Sequence, residues 1–139
     1  MNISFALKTA SAAMLVLFTT QNLAAQVATE AKLLGCWEIS RFEFLEPMED
    51  SLDLINGSKG HTICFEKNGK FNAKQVIGKD ETPIGTGTYS IDADGKTLHQ
   101  KRDADDGGID EPGEVVSVTE SQLALKAHNL IMHLRRVSK

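Results

Sequence analysis

The sequence predicts an all-β fold, an eight-stranded antiparallel up-and-down barrel. Past Gln26 the apolar residues alternate with period two more often than they recur at helical spacing. Glycine-bearing turns such as Asn68-Gly69 and Asp94-Gly95 cut the chain into short segments. The connections are mostly tight, which suits antiparallel neighbours, because parallel ones need long crossovers. Closing such a meander removes both sheet edges and gives the apolar faces one interior.

The first strand runs from Leu34 to Leu45, with Trp37 and Ile39 on one face and Cys36, Glu38 and Ser40 on the other. Phe42 and Phe44 break that parity, which predicts a bulge near Arg41. Glu46 to Gly60 is the longest irregular segment, and the spacing of Leu45, Met48, Leu52 and Ile55 after Pro47 predicts one short amphipathic helical turn. His61–Lys67 and Lys70–Ile77 make the clearest hairpin, joined by Asn68-Gly69, a pair that tolerates a type I′ turn. Ile84–Ile91 and Lys96–Arg102 follow, separated by Asp94-Gly95. Asp103 to Pro112 reads as an acidic, glycine-containing loop. Glu114–Thr119, Gln122–Ala127 and Leu130–Val137 complete the set.

The first 25 residues stand apart from this domain, which spans 26–139. Lys8 provides a sparse positive start, Ala12 to Phe18 a short apolar core, and Asn22-Leu23-Ala24-Ala25 the small residues of a cleavage site. The apolar run is shorter than the roughly 20 residues a bilayer requires. These features predict a secretory signal peptide cut after Ala25, and hence a secreted or periplasmic protein. Leu33-Leu34-Gly35-Cys36 has the look of a lipidation site. Glu30 and Lys32 intervene, however, and burying each charge costs roughly 2.5–3.5 kcal/mol. No membrane anchor is expected.

Loss of Lys8 takes the formal net charge from −4 to −5. An acidic chain without a basic stripe lacks the electrostatic footprint of a nucleic-acid binder. Cys36 and Cys64 are the sole cysteines. If Trp37, Ile63 and Phe65 point inward, both thiols point outward from neighbouring strands. They either bond, adding about 3–4 kcal/mol in the chain-entropy view, or stand as separate small residues; geometry decides.

The order and spacing of Leu34-Gly35-Cys36-Trp37, Ile63 to Phe71, Gly87-Thr88-Tyr89-Ser90-Ile91, Asp94 to Leu98, and the closing Leu123-Ala124-Leu125 and Leu134-Arg135-Arg136-Val137 resemble the bacterial lipocalin-like family. That resemblance implies that Trp37 sits near the closed end of the barrel, covered by an arginine of the last strand. A guanidinium stacked on an indole contributes about 0.5–2 kcal/mol. Arg136 shares parity with Leu130, Met132 and Leu134 and is favoured, with Arg135 close behind. Secreted animal lipocalins are longer and often end in a helix, which is not evident after Val137. Whether the interior is filled or hollow stays open.

The leading expectation is a non-enzymatic binding protein for a small apolar or amphipathic molecule. Phe42, Phe44, Phe65, Phe71 and Tyr89 are candidates to line its interior, while Met48, Leu52 and Ile55 either cap the core or meet a ligand at the rim. The alternative is a barrel that inhibits a protease or lysozyme, with Gln26 to Lys32 as an inserted arm or Asp103 to Glu111 as an inserted loop. His61, His99, His128 and His133 lack metal-protein spacing. The Asp103–Glu111 loop departs from EF-hand order, so no metal is expected there. No nucleophile elbow or phosphate-cradling loop is present, so neither catalysis nor a cofactor is expected.

Overall fold

Two turns built on the same local chemistry set the hairpins. In one, Gly69 N–H donates to Glu66 O, Lys70 N–H donates to the Asn68 side chain, and Gly69 takes φ 79°. In the other, Gly95 N–H donates to Asp92 O, Lys96 N–H to the Asp94 carboxylate, and Gly95 takes φ 73°. The Asx side chain organises each turn and the glycine takes the left-handed position after it. This corrects the expected type I′ turn, because Asn68 keeps an ordinary negative φ.

The computed structural model describes residues 23–103 and 110–138. The strands are β1 (Gly35–Phe44), β2 (His61–Phe65), β3 (Lys70–Ile77), β4 (Asp80–Ile91), β5 (Thr97–Arg102), β6 (Asp110–Val118), β7 (Gln122–Ala127) and β8 (Leu130–Ser138). Each pairs antiparallel with the next, and β8 pairs antiparallel with β1 to close the barrel. The bulge expected near Arg41 lies between Ile39 and Arg41, with Ser40 as the extra residue, and it returns Phe42 to the inner face. A second bulge makes Ile84 the extra residue beside Pro83, and β4 begins at Asp80, earlier than the expected start at Ile84.

β6 also begins earlier than expected. Asp110, Glu111 and Pro112, read from sequence as loop, pair with Lys101, Gln100 and His99. Pro112 is tolerated near the start of its strand, and the pairing energy of β5 outweighs local turn propensity. The rest of the acidic loop, residues 104–109, lies outside the described residues.

Residues 23–33 form a helix, α1, and Ser51–Gly57 a short helix, α2. Gln26 to Lys32, the expected arm of the inhibitor alternative, is part of α1. Gln26 donates its side-chain N–H to Ile91 O at 2.7 Å, and the Thr29 hydroxyl donates to Gly95 O at 2.9 Å. Alanines 24, 25, 28 and 31 supply the helix propensity. The expected leader falls mainly on residues 1–22, which lie outside the described residues.

The core fills one end of the barrel. Leu33, Trp37, Phe65, Ile91, Leu98, Leu123 and Leu134 are almost wholly buried there. Toward the other end small or polar residues, among them Ala73, Gly85, Gln100, Gly113 and Ala127, are interspersed with larger apolar ones such as Phe71 and Met132. The small and polar positions leave space between the larger side chains, so one half is filled and the other is open.

Candidate ligand cavity at the open end

The open end is ringed by the chain between β1 and β2, the β3–β4 and β7–β8 turns, the end of β5 and the start of β6. Two cavities lie inside it. One, of about 240 Å³, has Ile39, Ile63, Phe71, Ile84 and Met132 as its apolar wall. The other, of about 630 Å³, lies against Leu98, Leu125, Leu130 and Met132. Gln100, Glu111 and Met132 border both, so a shared wall joins them. The larger is within the roughly 300–1,000 Å³ range of small-molecule sites.

Strand alternation explains the polar groups in this cavity. Leu98 is buried in the core, so Gln100 and Arg102 follow it inward along β5. Glu111 lies directly across from Gln100 on β6. His61 and Thr62, at the start of β2, complete the polar part of the smaller cavity. Among the described residues, neither Arg102 nor Glu111 has a side-chain hydrogen bond or ion pair. They face one cavity with opposite charges and do not bridge.

The aromatic residues are distributed differently from the sequence expectation. Phe71 lines the smaller cavity. Its ring crosses Gly87, where an added Cβ would approach a ring carbon to 2.6 Å. Phe65 and Tyr89 belong to the closed half, with rings 5.0 Å apart edge to face and the Tyr89 hydroxyl donating to Glu66 O. Burial, with Glu30 and Glu66 nearby, raises the Tyr89 pKa. Phe42 and Phe44 lie 6.1 Å apart on β1, in register with Met132 and Leu130, and do not themselves line either cavity. Met48, Leu52 and Ile55 stand exposed on the segment that contains α2, and Leu52 is 71% accessible. Gln100, Arg102 and Glu111, which line the smaller cavity, are not among the lining residues expected from the sequence. The parity of β5 with Leu98 was the available signal.

At the closed end, Arg136 Cζ lies 4.1 Å from the Trp37 ring centroid. The same guanidinium donates to Glu120 O and Lys32 O, each at 2.6 Å, and to Leu34 O. Trp37 Nε1–H donates to Leu33 O at 2.8 Å. Arg136 thus ties β8 to the C-terminal carbonyls of α1, where a cation also meets the negative end of the helix dipole. Arg135 points outward and pairs with Glu38 at 3.2 Å. Cys36 and Cys64 face each other across β1 and β2 and are bonded as a disulfide.

His99 sits on the outer surface between two carboxylates, Asp92 at 3.0 Å and Asp110 at 2.9 Å. Hydrogen bonds to Asp92 and then Asp110 raise its pKa above 6.5. His133 approaches Glu43 at 3.0 Å. Among the described residues, no cluster of three or more His, Cys, Asp or Glu is placed to hold a metal ion.

A closed eight-stranded antiparallel barrel, filled at one end and open at the other, is a lipocalin-like fold. The chain is similar to three solved structures from Bacteroides. A lipocalin-like protein from Bacteroides uniformis matches with TM-score 0.57 at 16% identity, over 76% of this chain and 98% of that one. An uncharacterized protein from Bacteroides eggerthii matches with TM-score 0.58 at 12% identity, over 75% and 98%. A DUF4847 family protein from Bacteroides vulgatus matches with TM-score 0.51 at 12% identity, over 81% and 99%. At such identities the likeness establishes the fold. No family model and no curated protein matches the chain.

Proposed function

We propose that this barrel is an exported, non-enzymatic binding protein for a small amphipathic molecule. The observation that carries the reading is the open-ended cavity of about 630 Å³, with Leu98, Leu125, Leu130 and Met132 as its apolar wall and Gln100, Asp110, Glu111 and His128 as its polar groups. A filled interior would have favoured recognition of another protein. The docking of α1 on the barrel also weakens the inhibitor reading, because that segment is already engaged at Ile91 and Gly95. Export is supported by the leader-like start of the sequence and by the Cys36–Cys64 bond, since disulfides persist in oxidising compartments. No helix among the described residues is long and apolar enough to cross a membrane.

Native mass spectrometry of protein purified from its own host tests the reading. A retained small-molecule adduct is the expected result. Bare polypeptide, combined with no binding of the uncharged fluorophore N-phenyl-1-naphthylamine, would overturn it.

A further inference from the structure

Arg102 and Glu111, both solvent-exposed at the mouth of the smaller cavity, specify more than a generic amphiphile, on the premise that this cavity and the larger one beside it form a ligand site. Glu111 faces Gln100, and Arg102 lies two residues further along β5 toward the mouth, roughly 7 Å of strand. A diagonal pair on one face of a sheet is within reach of a salt bridge. This pair makes none, so each charge remains available to an occupant.

We infer that the ligand carries its groups in a fixed order: an apolar tail, then a hydrogen-bond donor, then a terminal anion. The tail lies against Ile39, Ile63, Phe71 and Met132. The donor meets Glu111, with Gln100 beside it, and the anion meets Arg102 nearer the mouth. An N-acyl amino acid is the simplest chemistry with that order, because its amide N–H precedes its carboxylate.

Simpler heads fit less well. A plain fatty acid brings an anion to Arg102 but offers the neighbouring Glu111 carboxylate no donor. A plain alkylamine satisfies Glu111 and is opposed by Arg102. A neutral alcohol leaves both charges without an ionic partner. The head with donor and anion in sequence satisfies both, and charge-assisted hydrogen bonds are the stronger class.

Calorimetric titration of the full chain, with its disulfide intact, tests this with four probes of matched acyl chain. They are N-dodecanoylglycine, its methyl ester without the anion, dodecanoyl glycolate without the N–H, and dodecanoate without both amide and spacer. The expected result is that N-dodecanoylglycine binds at least about tenfold more tightly than each of the others. Arg102→Gln then brings it level with its methyl ester, and Glu111→Gln brings it level with the glycolate. Equal affinity for all four probes, within about threefold, overturns the inferred order and leaves the binding-protein reading standing. If none of the four binds while N-phenyl-1-naphthylamine does, the order is again overturned and a different head group is required. If that fluorophore also fails to bind, both readings fall.

Discussion

Arg136 carries the closed end of the barrel on one side chain. It covers the indole of Trp37 and donates to three backbone carbonyls from two segments, residues 32–34 and Glu120. A lysine retains the charge but not the planar fork, so it cannot reproduce the stack and all three donations together. Arg136→Lys is expected to lower the unfolding free energy in urea by about 2–3 kcal/mol. Arg135→Lys is expected to change it by less than about 1 kcal/mol, because the Glu38 partner is a surface one. Equal effects from the two substitutions would show that Arg136 is no more than another surface cation. Strand parity with Leu134 made Arg136 legible in sequence. Its second task, holding the carbonyls of α1, was not, because nothing local marks residues 23–33 as lying under β8.

The elements around His99 show how three strands share one titrating group. Asp92 ends the β4 side of a turn, His99 lies on β5, and Asp110 opens β6. Because the folded pKa is raised above 6.5, the protonated imidazole is the form the fold favours. Its stabilising contribution is therefore complete below about pH 6.5 and is lost as pH rises through the higher folded value. An NMR titration of the His99 ring is expected to give a midpoint above 6.5, and Asp92→Asn and Asp110→Asn are each expected to lower it. A midpoint at or below 6.5 in the unsubstituted protein would contradict the carboxylate clamp. His99 looked isolated in sequence, since both of its partners depend on strand register and one lay in a segment read as loop.

At the scale of the whole molecule, the Cys36–Cys64 bond closes a loop between residues 28 apart and locks β1 to β2. Reduction, or the double substitution to alanine, is expected to cost about 3–4 kcal/mol of stability, read as a shifted denaturation midpoint with an unchanged slope. A shift below about 1 kcal/mol would mean that barrel closure alone constrains this loop. Period-two alternation, glycine-marked turns and short connections determined the meander, most strand positions and the bulge at Ser40, because each is a property of neighbouring residues. The tertiary structure alone decided that residues 23–33 fold as a plug, that β6 begins at Asp110, and that Arg102 and Glu111 share a hollow half. Those outcomes depend on which side chains meet across the closed barrel, and distance along the chain carries no record of it.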